Sequence, residues 1–350
     1  MRIALIHYRL LQKGGLERRL LNYYRYFHER GHEVHIFAAK RDPKLVLPVG
    51  VHYQKVAIGP FPKRFRRWAF ARKIGQMNLT EQFDMTLSLG RTFGQTAAID
   101  GGGHYGYMKG LGIQRKSLKD RLHLHMDELT FETSEVIYAC SGMVRDFAIE
   151  GHGVNPDKIK VIYPPLDMAQ FNQGLRPERA TLREEFGIRD DKTTFLFMST
   201  GHKMKNLKFV LELFRALDSS RYELLLVGIP PKTALPDNVR YLGYIRQPER
   251  IYTAVDCTIH PALYEPYGQV IAESVQCGTP VMVSANVGAK EVITEHEGVI
   301  VNSFELADWV EQVHALKHRE FDISPTFAHD RRLTLEDHME RIMAFYPVGY

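Results

Sequence analysis

Two carboxylates, Glu265 and Glu273, stand eight residues apart in His260-Pro-Ala-Leu-Tyr-Glu265-Pro-Tyr-Gly268-Gln-Val-Ile-Ala-Glu273. Ahead of them, Cys257-Thr-Ile259 reads as the end of a buried strand. Behind them, Gly268 to Cys277 has helical spacing, with Val270, Ile271, Ser274 and Val275 able to line one side. Cys277-Gly278-Thr279-Pro280 then stops the helix, Gly serving as C-cap and Pro following shortly after. Glu265 is therefore predicted in the loop at the helix N-terminus and Glu273 about two turns along. Free N–H groups and the positive dipole end at such a terminus suit a phosphate-bearing ligand. Carboxylates beside it can accept hydrogen bonds from sugar hydroxyls. Taken alone, the same pair also fits one solvated Glu and one capping acid.

Other segments carry chemistry of their own. The first strand, Ile3–His7, leads into Lys13-Gly14-Gly15-Leu16-Glu17-Arg18. Glycines between strand and helix let backbone approach a ligand closely, although a plain turn needs them too. The dinucleotide fingerprint G-x-G-x-x-G is missing, which argues against a dehydrogenase. Phe195–Ser199 reads as a strand that delivers His202, Lys203 and Lys205 to its mouth, cations suited to a departing diphosphate. Asp100 ends another strand and is followed by Gly101-Gly102-Gly103-His104, where a strand-terminal Asp can touch a ligand or cap a turn. His123 and His125 lie two apart on a predicted helix, so they diverge and form no metal pair. The stretch Lys63-Arg64-Phe65-Arg66-Arg67-Trp68-Ala-Phe70-Ala-Arg72-Lys73 mixes cations with aromatics. Within 61–77 one stripe can pack on its domain while another meets an anionic membrane or a lipid-linked acceptor; a solvated face is the other reading.

E-P-Y-G-Q-V-I-A-E, framed by H-P-A and followed by Cys277-Gly-Thr-Pro-Val281 and Gly288-Ala-Lys-Glu291-Val-Ile, resembles the E-x7-E motif of retaining glycosyltransferases of family 4. Gly14-Gly15-Leu-Glu-Arg18 is similar to that family's glycine loop. The resemblance implies a GT-B fold, an α/β architecture of two Rossmann-like domains whose parallel sheets face each other across a cleft. It implies a nucleotide-sugar donor, UDP-hexose first, with no cofactor and no metal required. Glu273 would hold the ribose hydroxyls and Glu265 a hydroxyl of the sugar. Tyr267, Gly268, Gln269 and Val270 would line the donor, and Gly14, Gly15 and Lys205 would meet its phosphates. Family members clamp the diphosphate with an Arg and a Lys. Here no Arg is present; Lys205 matches the lysine, and Lys203 or His202 replaces the arginine. Asp100 stands where relatives place a His or Asp on the transferred sugar, with His104 and Arg18 as further sugar or acceptor contacts. The family reacts on one face of the sugar, the leaving phosphate helping to deprotonate the acceptor. Pro164-Pro165-Leu166-Asp167 departs from the family's common Asn-Gly-Val-Asp. That change and the absent Arg leave open an inactive sugar-nucleotide-binding protein.

The elements that must position these residues alternate between apolar strands and helices, as parallel α/β sheets require. The 350 residues suit two domains: 1–167 for the acceptor, 168–332 for the donor, and a tail helix in 333–350 crossing back to the first. Further predicted strands are Glu33–Ala38, Met85–Ser88, Gln95–Asp100, Val136–Cys140, Tyr222–Gly228, Val239–Tyr241, Val281–Ser284 and Gly298–Val301. Cys140, Cys257 and Cys277 are too few and too scattered for a disulfide framework or zinc site. With no signal-peptide pattern and no membrane span, the expected location is the cytoplasm, at the inner face of the membrane if the acceptor is lipid-linked. Residues 1–80 carry 17 Lys plus Arg against 4 Asp plus Glu, +13 in a chain whose net charge is +5. That asymmetry points to an anionic partner, and no nucleic-acid-binding motif accompanies it. Within family 4, the length, the glycine loop and this basic half are most similar to the enzymes that add the first glucose to the lipopolysaccharide inner core. Another anionic glycolipid or polysaccharide acceptor, and mannose rather than glucose, stay open.

Overall fold

A computed structural model describes residues 1–11 and 15–346. The chain forms two compact units. The first runs from Met1 to Tyr163 and includes the C-terminal segment from Leu335; the second is Pro164–Thr334. The second unit thus begins before the expected residue 168. The reason lies in Leu166, which is buried and donates its backbone N–H to the Leu333 carbonyl at 2.8 Å.

The first unit is built on a seven-stranded parallel sheet. Its order is His52–Lys55, Glu33–Ala38, Arg2–Ile6, Met85–Ser88, Ala97–Asp100, Val136–Ala139, Ile159–Val161. Ile3 to Ile6 are all fully buried, as expected of a parallel strand covered on both faces. Ile3 and Leu5 face a cluster with Leu20, Tyr23 and Phe27 of the helix Gly15–Glu29. Ala4 and Ile6 face Phe37, Phe70 and Ile74, the last two from the helix Arg66–Gln76. The helix Leu335–Met343 completes the first cluster with Met339 and Ile342. His338 meets the Tyr23 hydroxyl in a short hydrogen bond, and the Tyr138 hydroxyl donates to the Ile342 carbonyl at 3.0 Å.

The second unit has a six-stranded parallel sheet in the order Val239–Gly243, Tyr222–Gly228, Thr193–Ser199, Cys257–His260, Val281–Ser284, Gly298–Val301. In each sheet the chain starts in the middle, builds outward, then returns and builds the other way. That reversal leaves a crevice at the carboxyl ends of the two strands flanking it, where open α/β sheets bind ligands. In the first unit those strands are Arg2–Ile6 and Met85–Ser88. In the second they are Thr193–Ser199 and Cys257–His260.

Several elements were not expected from sequence, the following among them. His52-Tyr-Gln-Lys55 is an edge strand with no buried residue, so it carries no apolar signal. Ile159–Val161 is only three residues long. The helix His104–Gly110 contains two glycines, which weaken helical periodicity.

Candidate functional site

In the second unit, Ser199 and His260 end the two strands beside the reversal. The loop after Ser199 folds into a compact turn, the Lys205 N–H reaching the Gly201 carbonyl at 3.0 Å and that of Leu207 reaching His202 at 2.9 Å. Asn206 takes the left-handed conformation that this turn needs (φ 62°). Lys205 is thereby turned back, with Nζ 3.4 Å from the Met198 carbonyl and 3.7 Å from Glu265 Oε2. The same Oε2 lies 3.4 Å from Nε2 of fully buried His260. Glu265 is fixed along its backbone as well: its N–H donates to Asn286 at 3.0 Å and its carbonyl accepts from Gly288 at 3.0 Å.

The charges in this cluster are legible. Burial works against the ionised Glu265 carboxyl, but His260 and Lys205 more than offset it and hold its pKa below the ordinary value. Burial lowers the His260 pKa, so its imidazole is neutral near pH 7. A carboxylate beside an ammonium is the outcome, suited to accept sugar hydroxyls and to face an anionic leaving group. Sequence reasoning named Lys205 and Glu265 but assigned no role to His260, although the strand-ending H-P-A marked its place.

Gly268 begins the helix Gln269–Gln276 at φ 92°. A Cβ there would lie 2.9 Å from Val287 and 3.1 Å from Glu265, so only glycine permits the close pass beside the carboxylate. The helix ends as expected, with Gly278 at φ 80° and the Thr279 N–H closing onto Ser274 at 3.0 Å. Glu273 accepts from the Tyr252 hydroxyl at 3.0 Å, a partner that sequence reasoning did not select. Gln269 donates to the Pro165 carbonyl at 2.8 Å, which gives Pro164-Pro165-Leu166-Asp167 a direct tie to this helix. Val270 packs on an apolar cluster and Tyr267 is buried. Lys203 is exposed, whereas His202 bonds the Ser199 hydroxyl at 2.8 Å and leaves Nε2 buried with no partner among the described residues.

In the first unit the corresponding crevice is a pocket of about 400 Å³. Asp100 and Gly15 line it, as do His7, Arg9, Glu17, Arg67, Arg91, His123 and Asp127, which sequence reasoning did not choose. Gly14 lies outside the described residues. Arg18 is exposed on the helix and is not part of the wall. His104 is buried and turned aside: its Nε2 bonds Asp120 at 2.8 Å and its ring stacks on Tyr107. The structure therefore brings Asp100 and Gly15 together but leaves His104 and Arg18 out of the pocket. His125 is exposed with Glu128, while His123 faces the pocket with a buried Nδ1 that has no partner among the described residues. The two histidines diverge, as expected of residues two apart on a helix, and His123 is the one that looks inward.

Among the described residues one group has metal-ligand spacing: Glu33, His35 and His52, on neighbouring strands of the first unit. Glu33 is already shared there between His35 at 2.7 Å and Arg2 at 3.6 Å. No helix among the described residues is long and apolar enough to cross a membrane.

Residues 178–324 match the family of glycosyl transferases group 1, and residues 13–170 match glycosyltransferase family 4. The probable transglycosylase of Burkholderia thailandensis is 30% identical over 280 residues, spanning 80% of this chain and 76% of that protein. The D-inositol 3-phosphate glycosyltransferase of Mycobacteroides abscessus is 26% identical over 186 residues, 48% of this chain and 41% of that one. Among solved structures, WaaG, a glycosyltransferase involved in lipopolysaccharide biosynthesis, superposes with a TM-score of 0.80 at 16% identity, over 99% of this chain and 100% of that one. HepE of Anabaena in complex with UDP and glucose gives 0.71 at 14% identity, over 99% of both chains. Identities this low speak for the fold.

Proposed function

The chain belongs to glycosyltransferase family 4, and from that premise we propose that it moves a hexose from a nucleotide sugar, UDP-glucose first, to an anionic cell-envelope glycolipid or polysaccharide. The lipopolysaccharide inner core is the leading acceptor, since WaaG serves lipopolysaccharide biosynthesis and HepE binds UDP and glucose. The observation that carries the reading is the cluster of Lys205, Glu265 and His260 at the strand ends beside the reversal. In it Glu265 accepts hydroxyls of the sugar, Glu273 those of the ribose, and Lys205 meets the diphosphate. The acceptor hydroxyl oxygen bonds to the anomeric carbon as the bond from that carbon to the diphosphate oxygen breaks. The acceptor proton passes to the leaving phosphate, and configuration is retained. Fixed cations and N–H dipoles serve such a departure without a metal. The exposed basic face of 61–77 holds the protein at the anionic surface that carries the acceptor, on the cytoplasmic side of the membrane.

The test is nucleotide release from UDP-glucose, UDP-galactose and GDP-mannose with deacylated lipopolysaccharide core. Wild type should release nucleotide from one donor, and product NMR should show the donor's anomeric configuration. Glu265→Gln should lose about 10²–10³-fold in kcat, and Glu273→Ala should chiefly raise the donor KM. Donor binding without transfer or slow hydrolysis would instead identify a sugar-nucleotide-binding protein, the reading that the missing Arg near Lys205 favours.

A further inference from the structure

The cations of the first-unit pocket are not equivalent. Arg9 faces buried Glu17 at 3.3 Å. Arg91 donates side-on to both carboxylate oxygens of buried Asp127, through Nε and Nη2. Arg67, near the start of the helix Arg66–Gln76, stands over the Tyr8 ring at 5.7 Å, and Tyr8 packs edge-on against Phe70. Its guanidinium has no hydrogen bond or ion pair among the described residues. An aromatic face orients it without consuming any of its N–H donors.

The remaining titratable groups offset that charge only in part: Glu17 acts on Arg67 from beyond ion-pair distance, and Asp100 is part-ionised near pH 7. Burial lowers both imidazoles in the pocket, His7 and His123, the latter to about 4, so both are neutral near pH 7. Asp100 is pushed up to about 7 by burial and by Asp127. Two matched pairs and one unmatched guanidinium are what a ligand meets. The volume lies within the roughly 300–1,000 Å³ of small-molecule sites, and Arg67 in its lining offers a planar fork suited to an oxyanion.

We propose that Arg67 is the specificity determinant for the acceptor, binding a phosphoryl or carboxylate group on the sugar that occupies this pocket, with Arg9 and Arg91 held beside it by Glu17 and Asp127. The assignment rests on the glycosyltransferase reading and adds to it where the acceptor's anion is read. Arg67 is exposed at the pocket edge, so an uncharged sugar would leave its guanidinium to water. An anionic one completes the charge balance and gains a charge-assisted, two-pronged contact.

Glucose, glucose 6-phosphate and glucuronate, titrated calorimetrically in the presence of saturating UDP, test this. UDP occupies the second unit first, so an anion cannot report on the diphosphate site instead. Wild type should bind one or both anionic sugars at least about tenfold more tightly than glucose, a gap of about 1.4 kcal/mol. The tighter of the two identifies the group as phosphoryl or carboxylate. Arg67→Gln should lose the gap, and Arg67→Lys, which keeps the charge without the fork, should retain part of it. Equal binding of all three sugars by wild type, or an unchanged gap in Arg67→Gln, overturns the proposal. A UDP-induced rise in melting temperature reports separately on the second unit: its absence in wild type would count against the donor reading, and the loss of the gap in Arg67→Gln would then carry the test of the pocket.

Discussion

Asp100 has two unlike oxygens. Oδ1 accepts the Gly102 N–H at 2.9 Å, while Oδ2 is buried with no partner among the described residues. Burial and the neighbouring Asp127 carboxylate raise its pKa to about 7, against the opposing pull of Gly102 and Arg91. An unfolded Asp titrates near 3.9. Between about pH 4 and 7 the native state therefore binds more protons than the unfolded chain, and this group's contribution to stability falls as pH rises. In Asp100→Asn that slope vanishes. The melting temperature of the variant relative to wild type should climb between pH 5 and 8; a gap that stays constant would show that Asp100 titrates normally. The residue type and its strand-end position could be read from sequence. Its raised pKa could not, because Asp127 and Arg91 reach it only through folding. The same holds for Glu265, whose spacing to Glu273 was visible while its neighbours His260 and Lys205 come from different strand ends.

The helix Arg66–Gln76 shows what periodicity does and does not decide. Helical spacing put Phe61, Phe65, Trp68 and Ala69 on one stripe and Phe70, Ile74 and Met77 on another without saying which packs; the structure buries Phe70 and Ile74 of the second and only Ala69 of the first. Its basic residues were read as one set, but they divide. Arg67 lines the pocket, and Arg66 turns back to donate to the Phe61 carbonyl at 2.9 Å. Lys63 and Arg64, in the turn before the helix, and Arg72 and Lys73 are exposed away from the pocket, beside the exposed ring of Phe61, whereas Arg67 is exposed at the pocket itself. Each cation near an anionic leaflet contributes about 1 kcal/mol. Replacing those four by Glu should cut co-sedimentation with phosphatidylserine or cardiolipin vesicles by well over tenfold at low salt while leaving neutral vesicles unaffected. Equal retention on anionic vesicles would remove this face from membrane contact. Sequence could not make the division, because which cation faces the pocket depends on the register of the helix against the sheet.

At the scale of the whole molecule, the first unit depends on the end of the chain. Met339 and Ile342 are fully buried among Tyr23, Phe27 and Tyr138, and the Tyr23–His338 and Tyr138–Ile342 hydrogen bonds close the same contact. Ile342→Ala should cost about 2–5 kcal/mol, as large-to-small changes in cores do, and lower the urea midpoint accordingly. A change under 0.5 kcal/mol would mean that the helix is not part of the core.

By itself the sequence determined the α/β class, most strands, the helix that follows Gly268 and the placing of Glu265 before it and Glu273 along it. Each of these is set by local periodicity, turn residues or a short motif. Only the tertiary structure decided that His260 and Lys205 share one carboxylate oxygen, that His104 turns away while His123 turns inward, and that Arg67 alone among three pocket arginines lacks a carboxylate. Those facts depend on which strand ends lie side by side in a parallel sheet. Lys205 and Glu265 belong to loops joined by crossovers tens of residues long, so their proximity leaves no trace in spacing along the chain; His260 lies in the same short motif as Glu265, and there only the turn of the loop had to come from folding.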